Sequence, residues 1–132
     1  MIDVRVQAAD FDPARQLARL EALGHSALVS FVAAASTGED VTALFVDHHP
    51  ALAKNELARL AAEAEARWRL PGIILIHRHG RIAPGERLAF AAVAAAGSKA
   101  GFEACGFLAD ALRTRAPFWR RETLSDGSER WR

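Results

Sequence analysis

Five prolines divide this 132-residue chain, and their positions limit what it can fold into. Proline fixes its own φ and donates no backbone hydrogen bond, so it opens helices or ends elements and is kept out of their interiors. Pro13 follows Asp12, which reads as an N-cap with a proline in the first helical turn. Leu17, Leu20 and Leu23 then recur at helical spacing up to Gly24, a natural stop. Pro50 opens the longest helical stretch, roughly residues 50–69, whose apolar stripe is Leu52, Leu57, Leu60, Ala61, Ala64 and Trp68. Pro71-Gly72 closes that stretch, and Pro84-Gly85 marks a turn. Pro117 stops a third helix, expected over roughly residues 99–113.

Between these breaks the pattern changes from helical to extended. Residues 2–8 alternate apolar and polar, as an edge strand does. Ala27 to Ala35 is a continuous apolar run, the pattern of a buried strand. Thr37-Gly38-Glu39-Asp40 reads as a turn, and Val41 to Val46 as the strand returning from it. Ile73 to Ile76 is a strand running into His77-Arg78-His79-Gly80, and Leu88 to Ala95 is another. A short strand after Pro117, a turn at Ser125-Asp126-Gly127-Ser128 and Trp131 close the chain. Strands joined by tight turns, with three helices among them, predict a single α+β domain over residues 1–132 built on a mostly antiparallel sheet.

Charge excludes some functions. The net charge is +1, so the molecule as a whole attracts neither nucleic acid nor an anionic membrane. No apolar run approaches the roughly 18 residues of a spanning helix, and Met1 to Asp10 mixes charges with apolar residues, so a cytoplasmic protein is expected. Cys105 is the only cysteine, which rules out an internal disulfide framework, and its place between Phe102 and Leu108 predicts a packing role.

The positive charge is concentrated late. From Arg113 to Arg132 six arginines face Glu122, Asp126 and Glu129. Around Ala116-Pro117-Phe118-Trp119 the sequence carries Arg113, Arg115, Arg120 and Arg121, guanidinium donors beside aromatic bulk, the composition of an anion pocket. Strand alternation sends Arg120 and Arg121 to opposite faces, so at most one of the two enters a given pocket. A nucleic-acid module using this basic segment is the weakest reading, since aromatic and basic residues are not interleaved elsewhere. His77 and His79 fall on one face of a strand, but two ligands do not make a metal site, and neither metal nor cofactor is expected. His48-His49-Pro50 reads as a polar turn or as an anion site at a helix start. Lys99 is either a solvated first-turn lysine or a group facing a substrate anion.

Several of these stretches together resemble one family. Ser30-Phe31-Val32 with Asp40-Val41-Thr42-Ala43-Leu44, the helix from Leu57 to Trp68, Ile76-His77-Arg78-His79-Gly80 with Pro84-Gly85-Glu86, Phe102-Glu103-Ala104 with Asp110, and Arg115 through Glu122 followed by Gly127 and Trp131 are similar to the large, catalytic subunit of molybdopterin synthase. The resemblance implies an α/β-hammerhead fold and a homodimer at the centre of a heterotetramer. It implies a small ubiquitin-like sulfur carrier as partner, whose C-terminal thiocarboxylate enters a pocket on the large subunit. Two sulfurs would pass to cyclic pyranopterin monophosphate in molybdenum-cofactor biosynthesis. It places catalysis at Arg113 and Arg120, substrate binding at Lys99, Ser98, Gly97, Ser36 and Arg78, and a carrier-tail channel at Pro117, Phe118 and Trp119.

The chain departs from the family pattern at those positions. Ala33-Ala34-Ala35-Ser36 replaces a run ending in arginine, and Gly97-Ser98 replaces a histidine-arginine pair. Arg113 and Arg120 stand where the family carries its active-site lysines. Arginine keeps its proton to a pKa above about 12, so it binds anions but does not act as a base. The alternative implied by these changes is a catalytically degenerate homologue, a carrier-binding or regulatory subunit.

Overall fold

The computed structural model describes residues 1–35 and 38–131. The chain runs β1 (Ile2–Gln7), α1 (Pro13–Glu21), β2 (Ala27–Ala34), β3 (Val41–His48), α2 (Pro50–Trp68), β4 (Gly72–Arg78), β5 (Gly80–Ile82), β6 (Arg87–Ala95), α3 (Ser98–Thr114), β7 (Phe118–Leu124) and β8 (Glu129–Trp131). The prolines sit where expected. Asp12 caps α1 by accepting from the Ala14 N–H at 3.0 Å, and His49 caps α2 through Nδ1, which accepts from the Leu52 N–H at 3.3 Å.

The strands form two sheets. One has the order β1-β4-β6-β2, with β1 parallel to β4 and the other pairs antiparallel. The other has the order β5-β3-β7-β8 and is antiparallel throughout. Strands β4 and β6 are buried along nearly their whole length because helices cover both faces of the first sheet. Strand alternation divides their side chains between two cores. Ile73 and Leu75 join Leu57, Leu60 and Leu108 under α2 and α3, while Ile74 and Ile76 join Leu20 and Phe90 under α1. Helix α3 lies close on β2 because Gly101 has no side chain; a Cβ there would come within 3.0 Å of Val29 Cγ2.

The α+β class, the three helices and the mostly antiparallel pairing agree with the sequence. The expected hairpin of β2 with β3 does not form. Strand β2 pairs with β6 and β3 pairs with β5 and β7, in different sheets. The cause lies just past β2: the Ala35 N–H donates to Glu86 O and its carbonyl accepts from the Gly85 N–H, each at 2.7 Å. These bonds hold the chain on the turn before β6 instead of letting it fold back on itself. Strand β5 leaves no mark in the sequence pattern. Its three residues are too few for a periodic pattern, and Gly80, at φ +88°, turns the chain into the second sheet. Among the described residues no helix is long and apolar enough to cross a membrane.

Candidate functional site

Helix α3 ends where the two sheets meet, and its last turn borders a cleft of about 800 Å³. Phe31, Ala33, Ala34 and Ala35 form one side of it, and Ala109, Asp110, Leu112 and Arg113 of α3 another. Arg120 and Glu122 enter from β7, and His77 from the end of β4. Two-residue periodicity explains the β7 pair: Arg120 and Glu122 share a face, and Arg121 takes the other. Arg121 lies instead over the rings of Phe45 and Trp131, 5.0 and 5.7 Å from their centroids. A smaller hollow of about 230 Å³, lined by Thr114, Ala116 and Phe118, shares Leu112, Arg113 and Arg120 with the large cleft.

The cleft is graded in exposure and in charge. At its edge Arg113 pairs with Asp110 at 2.9 Å, both side chains about two-thirds exposed. Deeper in, Glu122 is 1% exposed, and its Oε1 accepts from Nε and Nη2 of Arg130, each at 3.2 Å. His77 is also 1% exposed. Burial lowers its pKa to about 4, and the charge of Arg120 adds to that, against a weaker opposing effect from its bond to the Arg78 carbonyl. The imidazole is therefore neutral at neutral pH. Its Nδ1 lies 2.8 Å from Arg78 O. A carbonyl only accepts, so Nδ1 carries the proton and Nε2 bears the lone pair.

The His77 ring lies flat on Phe118, centroids 3.6 Å apart and planes 7° from parallel. Phe118 in turn stacks with His48 at 5.9 Å, and His48 with His79 at 4.2 Å. The last two rings face each other, so their in-plane nitrogens do not converge on one point. Among the described residues no group of three or more histidine, cysteine or acidic side chains is placed to hold a metal.

The structure brings together some of the residues expected to act and separates others. Arg113 and Arg120 border both hollows, and Phe118 lines the smaller one. Pro117 and Trp119 line neither, and Trp119 is 50% exposed on the opposite face of β7 from Arg120. Arg78 is not a cleft residue. It is buried, with Nε donating to Ala8 O at 3.1 Å and Nη1 donating to Arg87 O at 2.9 Å and to Glu86 at 3.2 Å. Alternation puts it on the face of β4 opposite His77. Gly97, Ser98 and Lys99 are exposed at the start of α3, about 21 Å from Arg113 at 1.5 Å per helical residue. Ser36 lies outside the described residues. Glu122 and Asp110 were missed as site residues, although the alternation that separates Arg120 from Arg121 also places Glu122 beside Arg120. Cys105 is buried, its Sγ 3.7 Å from Ala91 O, and burial pushes its thiol up to about 11.

The site is a cleft in a two-sheet α+β domain, where the last helix brings one arginine to the mouth and a second arginine and a buried neutral imidazole lie deeper in. The chain belongs to the MoaE protein family, whose model matches residues 6–115. It is 44% identical to the molybdopterin synthase catalytic subunit of Mesorhizobium japonicum over 129 residues, which cover 96% of this chain and 81% of that one. It is 41% identical to the same subunit of Pseudomonas aeruginosa, over 97% of this chain and 88% of that one. Among solved structures, the molybdopterin biosynthesis MoaE protein of Burkholderia ambifaria superposes with a TM-score of 0.86 at 36% identity, covering 99% of this chain and 88% of that one.

Proposed function

We propose that this protein is the large subunit of a cytoplasmic molybdopterin synthase, which takes sulfur from a thiocarboxylated carrier protein and passes it to cyclic pyranopterin monophosphate. The observation that carries the reading is that Arg113 and Arg120 face one cleft from two different elements. Two guanidinium groups on one cleft suit the two anions this reaction brings together, a thiocarboxylate and a phosphate. The smaller hollow, about 230 Å³ and lined in part by the apolar Leu112, Ala116 and Phe118, would take part of an extended carrier tail. Lys99 is too far along α3 to serve the cleft of its own chain, so it contributes to substrate binding only from the second copy of a homodimer. That homodimer would form the centre of a heterotetramer with two carriers.

A second reading rests on the same arginines. Neither can give up its proton, so the cleft holds anions without a lysine to move protons. The protein would then be a carrier-binding or regulatory homologue.

Incubation of the purified protein with thiocarboxylated carrier and cyclic pyranopterin monophosphate separates the two. Dithiolene product that disappears in Arg113→Ala supports the synthase. Carrier binding without product supports the second reading, and absence of both carrier binding and product overturns both.

A further inference from the structure

His77 has a role that neither the arginines nor the metal question gives it. Its ring is closed in on three sides. Phe118 covers one face, Nδ1 is committed to Arg78 O, and the backbone of β4 holds the Cβ. No described protein group hydrogen-bonds Nε2. Yet no sealed side-chain nitrogen or oxygen among the described residues lacks a partner. The Nε2 edge is thus the part of the ring that meets the cleft His77 lines. An acceptor that faces a cleft from so buried a ring is available to a donor that enters that cleft.

We propose that His77 Nε2 accepts a hydrogen bond from a ring N–H or amine of the substrate's heterocycle, so that the substrate enters ring first and leaves its phosphate at Arg113. This deepens the synthase reading and rests on it. The gradient of the cleft supports the orientation. His77, 1% exposed, offers an acceptor at the inner end, while Arg113, 69% exposed in its side chain, offers donors at the mouth. A pterin presents amine and ring N–H donors at the end away from its phosphate. The neutral state forced by burial suits this role, since a protonated imidazole would present a second N–H to a ligand that is itself a donor.

Two substitutions separate the open nitrogen from the committed one. Asparagine is short and reproduces the Nδ1 side, and glutamine reaches to the position of Nε2 with an oxygen acceptor. Binding of cyclic pyranopterin monophosphate and of a simple pterin without phosphate is measured by calorimetry on the full chain. His77→Asn is expected to weaken both ligands about tenfold, the size of one net hydrogen bond. His77→Gln is expected to stay within about threefold of wild type. Arg113→Ala is expected to weaken only the phosphorylated ligand. Carrier affinity and melting temperature, followed in parallel, identify any variant that has lost its fold, and the glutamine variant carries the test if asparagine does not fold. Equal binding by wild type and His77→Asn overturns the proposal, as does a glutamine variant that binds as weakly as asparagine. A wild-type protein that binds carrier but neither pterin overturns the synthase reading and this inference with it.

Discussion

The rings of His77 and Phe118 lie 3.6 Å apart and nearly parallel, although β4 and β7 belong to different sheets. The stack joins the two sheets at the inner end of the cleft. Phe118 lies two residues before Arg120 and four before Glu122, so the stack ties the β7 side of the cleft to a histidine that carries no charge.

That histidine makes the fold acid-sensitive. In the unfolded chain His77 takes a proton near its ordinary 6.5, but in the fold it refuses one until about 4. Between those values the unfolded state binds more protons, so stability rises with pH and is lost as pH falls. The full effect is on the order of 3 kcal/mol, at 1.36 kcal/mol per pKa unit. Urea unfolding at pH 7 and pH 5 should show a lower midpoint at pH 5. In His77→Phe that part of the pH dependence should vanish. An unchanged slope in the variant would show that other groups cause the loss.

Arg78 is expected to be structural. Its guanidinium satisfies the carbonyls of Ala8 and Arg87 and pairs with Glu86, which ties the end of β1 to the turn before β6. Arg78→Ala leaves those carbonyls without their donor and should destabilise the protein by about 2–4 kcal/mol. Melting temperature should fall while the folded fraction keeps its affinity for phosphate-bearing ligands. Lost affinity at unchanged stability would restore the binding role that the resemblance gave this residue.

Most of the fold was legible because local chemistry and tertiary structure agree in this chain. Asp12-Pro13 and Pro50 start helices whatever surrounds them, and the leucine spacing of α1 and α2 allows one buried face each. The separation of Arg120 from Arg121 followed from alternation alone. What was not legible depends on partners distant in sequence. No local pattern distinguishes a β2 that turns back onto β3 from one that pairs with β6, because the choice is made by hydrogen bonds from Ala35 to Gly85 and Glu86. His77 was visible as part of a histidine pair. Its role depends on Phe118, forty-one positions further on, and nothing near His77 in the sequence signals that ring.

Cys105 should be inert in the native protein. Reaction needs the thiolate, and burial on the side of α3 that faces β6 holds this thiol near 11. A thiol reagent at pH 8 should titrate no cysteine in buffer and one per chain in denaturant. Rapid native labelling would mean that α3 opens readily from the first sheet.

The arginines set the last test. A lysine at position 120 would lie half-buried beside His77, where loss of hydration favours its neutral form and lowers its pKa toward the working pH. A lysine at position 113, at the exposed mouth, would keep a more ordinary pKa. If proton transfer limits this cleft, Arg120→Lys should raise dithiolene formation by about a hundredfold, the range of general acid-base catalysis, and add a limb to the pH-rate profile. Arg113→Lys alone should do less. Equal rates for wild type and Arg120→Lys, with substrate bound in both, would mean that the two guanidinium groups suffice and that sulfur transfer here needs only the positioning of its anions.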